Sequence, residues 1–188
     1  MSQNFKLFRL KDLLMFGAAC SLPTFALIYS ILHGLTGQPL AMLITVTACF
    51  WGLYGLFLYN RQRFLNKITF ITKHKIAIIA NGFTVKQSDI ELLTDDSINK
   101  WNTACNFDRS AKAVEGLWVE FKPFPITDHA KLGNLAGYTV GQNCVIGWKE
   151  NIAETAFQHE LGHEIHHEFT GAWSNDACHK FMSNNQLL

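Results

Sequence analysis

The chain has 188 residues, 16% of them charged, and a formal net charge of +1. A net charge so close to zero argues against a nucleic-acid partner, because proteins that bind nucleic acids usually carry a marked positive excess. The length fits one domain, but the uncharged residues are concentrated near the N-terminus, so we predict two structurally different parts.

The first part, residues 1–60, contains two segments without Asp, Glu, Lys or Arg. We predict transmembrane helices over about residues 13–35 and 39–59, since about 20 apolar residues cross the roughly 30 Å of hydrocarbon in a bilayer. Gly37 and Pro39 lie between them and favour a tight turn. Two core helices of a soluble protein are an alternative, and a cleaved signal peptide is another. Two uncharged segments of this length in succession favour a membrane hairpin.

Basic residues flank the two predicted spans, whereas the link between the spans has no basic residue. The flanking residues are Lys6, Arg9, Lys11, Arg61, Arg63 and Lys67. The positive-inside rule therefore places both termini in the cytoplasm, at the inner (cytoplasmic) membrane of a bacterium. The five cysteines are scattered along the chain: Cys20, Cys49, Cys105, Cys144 and Cys178. An odd number without paired spacing indicates reduced thiols and agrees with a cytoplasmic location.

The second part, residues 61–188, is predicted to be an α+β domain with a mixed sheet. An Asn81-Gly82 turn separates two of its predicted strands. We expect Thr94 or Asp95 to cap one helix, and Asn151 to cap a second helix that ends at Gly171. The predicted strands cover residues 68–72, 76–79, 83–86 and 117–121, and residues 137–148 are predicted to form a strand or a hairpin. The predicted helices cover residues 95–105 and 151–170.

The second helix contains the segment His159-Glu160-Leu161-Gly162-His163. Residues four apart lie on one face of a helix, so His159 and His163 can bind the same metal ion. Glu160 lies about 100° around the helix from His159, beside the metal, where its carboxylate can take a proton from a water molecule that Zn²⁺ activates. Leu161 and Ile165, with Phe169, are predicted to form the apolar face that docks in the core.

This segment resembles the active helix of the zincin metallopeptidases, a resemblance that covers the helix and the strand before it. It implies a zinc cofactor bound by His159 and His163, with Glu160 as the general base. It also implies that the strand before the helix aligns the substrate backbone, and Tyr138 is a candidate to line that cleft. A two-helix hairpin followed by such a domain is similar in layout to the HtpX and Ste24 membrane proteases, although those have further spans and a distant Glu ligand.

The third zinc ligand departs from the common zincin patterns. No Gly follows His163 at the metzincin spacing, and the only later glutamates, Glu164 and Glu168, lie on the same helix. A third ligand on one straight helix would lie too far along its axis, so His166 is predicted to line the cleft or to support one of the metal ligands. The candidates beyond Gly171 are, in order of preference, His179, Asp176 and Cys178.

Two functional hypotheses remain. The first is a membrane-anchored zinc endopeptidase that acts on peptide or protein substrates. The second is a non-catalytic, metal-stabilised membrane adaptor of a larger envelope or mobile-element assembly, in which Gly52 and Gly55 allow close helix packing with a membrane protein or a second copy. A closed four-ligand metal shell favours the adaptor, whereas an open coordination position in a cleft favours the peptidase. An intramembrane protease is disfavoured because the motif helix carries too many glutamates for lipid.

Overall fold

The computed structural model describes residues 10–127 and 134–187, with side chains from residue 14 onward. The predicted flanking residues Lys6 and Arg9 lie outside the described residues, as does the side chain of Lys11. The chain divides into two compact units, Met1–Asn66 and Lys67–Leu188.

The first unit is a pair of helices, α1 (Leu10–Leu32) and α2 (Gln38–Leu65). Both are long and apolar enough to cross a membrane, and 6% of the spanning window of each is buried within the protein. Core helices of a soluble protein are mostly buried, so this alternative fits poorly. Helix α2 continues to Leu65 instead of residue 59, because the polar residues beyond residue 59 include no Gly or Pro that would break it.

Polar side chains join α1 to α2. The indole N–H of Trp51 donates to Thr24 Oγ1 at 2.9 Å, and the hydroxyl of Thr47 lies 3.2 Å from the carbonyl oxygen of Pro23. Such contacts satisfy polar groups on apolar helices without water. A Cβ atom added to Gly52 or Gly55 would meet no atom of the described chain within 4 Å, so these glycines are not used in packing α1 against α2.

The second unit is an α+β domain with a five-stranded mixed sheet in the order β1-β2-β3-β5-β4. Strands β2, β3 and β5 are parallel, whereas β1 and β4 are the antiparallel edge strands. The elements are, in chain order, β1 (Phe70–Ile71), β2 (Ala77–Ile79), α3 (Gln87–Cys105), α4 (Ser110–Ala113), β3 (Trp118–Pro123), β4 (Gly137–Val140), β5 (Asn143–Trp148), a 3₁₀ turn (Ile152–Glu154), α5 (Phe157–Thr170) and α6 (Asn175–Asn184).

One hydrophobic core joins the sheet to helices α3, α5 and α6. Leu161 and Ile165 of α5 are fully buried in it, as the apolar stripe predicts, and each contributes about 1.5–3 kcal/mol by burial. Phe169 is 38% exposed, but its ring packs edge-on against Trp101 and Phe107. Helix α5 is therefore fixed along one face, and its opposite face is free to carry a site.

The predicted strand over residues 83–86 is wrong, because these residues form no strand in the structure. Strand β2 already pairs with β1 on one side and β3 on the other, so a returning strand has no free edge there. Phe83 instead stacks on Trp148 with 5.7 Å between ring centroids.

The predicted helix starts are also wrong. Helix α3 begins at Gln87, after an N-cap at Lys86, and not at Thr94 or Asp95. Thr94 lies inside the helix, where its hydroxyl donates to the carbonyl of Ile90 at 2.7 Å. The Asn151 side chain does accept the backbone N–H of Glu154, at 3.2 Å, but this contact caps the 3₁₀ turn. Extended backbone at Thr155 then separates that turn from α5.

Candidate metal centre

Helix α5 presents the two histidines of the motif on one side. It runs from Phe157 to Thr170. Gly171 caps its C-terminal end with a φ of 73°, and the Gly171 N–H donates to the carbonyl of His167 at 2.7 Å. One helical turn separates His159 from His163, and their Nε2 atoms lie 3.2 Å apart. Both rings are half-buried and face the same cleft.

Helix α6 supplies the third histidine. His179 Nε2 lies 3.2 Å from His159 Nε2, and the ligand atoms of all three histidines lie within 4.8 Å of one another. Nitrogen atoms bound to one tetrahedral Zn²⁺ at about 2.0–2.1 Å are about 3.3–3.4 Å apart. Two of the three nitrogen pairs lie close to this spacing, so the group His159, His163 and His179 could hold a metal ion.

Two of the three histidines, His159 and His163, are held in the neutral form that binds metals. Burial, with the nearby charges of His159, His179 and His166, lowers the pKa of His163 to about 4. Burial and the charge of His179 also lower the pKa of His159. Neutral imidazole keeps a lone pair on one ring nitrogen, so near pH 7 these two side chains are ready to act as ligands.

Glu160 lies beside this group, 4% exposed, and lines the same cleft. Its Oε2 accepts a hydrogen bond from Thr139 Oγ1 at 2.6 Å. A Cβ atom on Gly137 would lie 2.9 Å from both Cγ and Oε1 of Glu160, so only glycine leaves room for the carboxylate. Burial raises the pKa of Glu160 to about 7, and the Thr139 hydrogen bond opposes that rise. The carboxyl group can therefore exchange a proton near neutral pH.

Gly137 and Thr139 also contact Glu160, and no pattern in the sequence assigned either residue to the site. Both lie on β4 with one residue between them, so they share one face of the strand. Tyr138 also lines the cleft, and strand alternation directs its side chain to the other face. A glycine inside a strand often marks a place where another group comes close to the backbone. In this protein the group that comes close to Gly137 is the Glu160 side chain.

The remaining candidates lie outside the three-histidine group. Asp176 is exposed in the first turn of α6. Cys178 is buried, and its Sγ contacts His163 Nδ1 at 3.1 Å, the nitrogen that does not face His159. Burial and the charge of Glu160 raise the pKa of Cys178 to about 11, so it is a thiol near neutral pH. His166 is buried and lines the cleft, where its ring packs edge-on against Trp101.

The cleft has a volume of about 650 Å³. One wall is formed by residues of β4 and the segment before it, and the other by α5, by α6 and by the turn that joins them, including Trp173. Trp173 is 47% exposed and stacks on His167 at 3.7 Å between ring centroids. The three-histidine group, the buried carboxylate of Glu160 and residues of the edge strand β4 therefore share one open cleft.

Comparisons with known proteins assign no family to this arrangement. No protein-family model, no curated protein and no solved structure matches the chain. The functional conclusion therefore depends on the geometry of the site alone.

Proposed function

We propose that the protein is a membrane-anchored, zinc-dependent peptidase. The observation that carries the proposal is the convergence of three imidazole nitrogens and one buried carboxylate, that of Glu160, in a single cleft. Three protein ligands with a position left for water or substrate are typical of catalytic zinc, whereas structural zinc has a closed shell of four. In the described residues the metal-binding group has three members, which supports the peptidase over the adaptor.

The location of β4 supports a peptide substrate. It pairs with β5 on one side and is the last strand of the sheet, so within the described ranges no further strand pairs with its outer edge. An extended peptide can add to such an edge as a further strand, held by main-chain hydrogen bonds. Because β4 lines the cleft, a peptide bound there would pass beside the three histidines and Glu160.

Each side chain has a defined role in the proposed reaction. His159, His163 and His179 hold the zinc ion, which when bound polarises the scissile carbonyl and lowers the pKa of water. Glu160 takes a proton from the attacking water and delivers it to the leaving amine. Thr139 keeps the carboxylate against β4, and the absence of a side chain at Gly137 admits it.

The membrane anchor is the hairpin of α1 and α2. The basic residues Arg61 and Arg63 at the end of α2, with Lys67, favour the cytoplasmic face of the inner membrane for the second unit. The proposed enzyme would cleave peptide or protein substrates that reach this face.

The proposal is tested with Glu160→Gln in the full chain, purified in a mild detergent. Zinc content should equal that of the wild type, while hydrolysis of fluorescein-labelled casein should fall to background, because an amide cannot accept the proton. Glu168→Gln is the matched control, since Glu168 is exposed on the same helix. Continued hydrolysis by the Glu160→Gln variant would remove Glu160 from the mechanism.

A further inference from the structure

We propose that Cys178 is the positioning residue of the metal centre: its sulfur accepts the Nδ1–H of His163 and thereby directs the Nε2 lone pair at the metal. This inference rests on the proposed function, because it requires a metal ion bound by His163. It assigns to a buried cysteine the task that carboxylates and backbone carbonyls commonly perform for metal-binding histidines.

The two nitrogens of His163 face different partners. Nε2 lies 3.2 Å from Nε2 of His159, inside the metal-binding group, whereas Nδ1 lies 3.1 Å from Cys178 Sγ. A neutral imidazole carries one N–H, and the partner of one nitrogen decides which of the two is protonated. Cys178 is 2% exposed, so water does not compete for that position. A proton on Nδ1 leaves Nε2 free to bind metal.

The hydrogen of the thiol has a partner of its own. Cys178 Sγ donates to Met182 Sδ at 3.4 Å, one helical turn further along α6. The sulfur lone pairs of Cys178 therefore remain available to accept a hydrogen bond from His163. In this arrangement His163 donates to Cys178, and Cys178 donates to Met182. Met182 is fully buried, which fixes the far end of this chain.

The end of the Met182 side chain packs against Gly162 of α5. A Cβ atom at position 162 would lie 2.4 Å from Met182 Cε, so a larger residue there would make the end of that side chain move. Two adjacent residues of α6 therefore act on the proposed centre. Cys178 supports the ligand His163, and His179 is itself a ligand.

The experiment compares Cys178→Ser, Cys178→Ala and Cys178→Val in the full chain in detergent. Serine keeps a hydrogen-bond acceptor, whereas alanine and valine both remove it, and valine does so without leaving a cavity. Zinc affinity is measured by competition with a chromophoric chelator. The tautomer of His163 is measured by ¹⁵N NMR of histidine-labelled, metal-free protein. Thermal unfolding of each metal-free variant monitors the fold, with Cys105→Ala as a cysteine control on α3.

Both alanine and valine should weaken zinc binding by about 10-fold or more, the effect typical of lost partners of metal ligands, while serine restores most of it. The metal-free wild type should carry the His163 proton on Nδ1, and the alanine and valine variants should lose that preference. If the alanine and valine variants both keep the wild-type zinc affinity and the wild-type His163 tautomer, this inference is overturned and the proposed function is not affected. A thiolate-to-metal absorption band in the cobalt-loaded wild type would also overturn it, because Cys178 would then be a ligand. A wild type that binds no zinc would overturn the proposed function and this inference together.

Discussion

The ionised form of Glu160 should lower the free energy of unfolding of the metal-free protein, and Glu160→Gln should remove this destabilisation. Burial raises the pKa of this carboxyl group from an ordinary value of 4.5 to about 7, and the residue is 4% exposed. The difference between those pKa values corresponds to about 3 kcal/mol of folding free energy. The glutamine side chain of the variant stays neutral, and its amide oxygen can still accept the hydroxyl of Thr139.

The sign of the pH dependence follows from the raised pKa. The protonated carboxyl group is favoured in the folded protein, so its contribution to stability is fully present below pH 4.5 and is lost as the pH rises through about 7. At about pH 8 the variant should therefore exceed the wild type by about 3 kcal/mol in free energy of unfolding, and near pH 4 the difference should vanish.

The assay is urea unfolding in mild detergent with EDTA present, followed by tryptophan fluorescence at both pH values. Glu168→Gln controls for the loss of a negative charge on the same helix, because Glu168 is exposed. Equal stability of the Glu160→Gln variant and the wild type at pH 8, or a difference that does not change with pH, would refute the assignment of a costly buried carboxylate.

Two further predictions concern the contacts that β4 makes with Glu160. Thr139→Val removes a hydrogen bond that lowers the pKa of Glu160. A hydrogen bond to a charged group is worth about 1.5–3 kcal/mol, so the acid limb of the pH profile of hydrolysis should move up by about one to two pH units. Hydrolysis requires the deprotonated carboxylate of Glu160, so its rate rises with pH through this pKa. A pH profile that does not move would contradict the hydrogen bond assigned between Thr139 and Glu160. Gly137→Ala places a Cβ atom 2.9 Å from Oε1 of Glu160, so hydrolysis should fall by about 10-fold or more at unchanged zinc content, and near-normal rates would show that the carboxylate need not lie there.

Local periodicity was sufficient to predict much of the motif helix and its surroundings. The stripe of Leu161 and Ile165, the αL residue Gly171 and the extended structure over residues 137–148 all follow from patterns within a few residues. The convergence of His159 and His163 follows in the same way, because helix geometry fixes it.

The remaining parts depend on contacts between residues distant in the chain. The pairing that leaves β2 without a free edge cannot be deduced from residues 83–86 themselves, which have a strand-like composition. Helix α6 (Asn175–Asn184) begins shortly after Gly171. Its buried residues Cys178 and Met182 lie four apart, a helical spacing that spans too few residues to predict a separate helix so close to the end of α5. Thr139 bonds to a residue 21 positions away, so its role becomes visible only when β4 is packed against α5.

The central claim is that His179, and not Asp176, completes the metal-binding group. It is tested most directly by the zinc content of the wild-type chain, His179→Ala and Asp176→Ala, measured by elemental analysis after equilibration with a small excess of zinc and removal of unbound metal. The wild type and the Asp176→Ala variant should each hold one zinc ion per chain, and the His179→Ala variant should lose it. Near-wild-type zinc in the His179→Ala variant, or loss of zinc in the Asp176→Ala variant, would contradict the assignment.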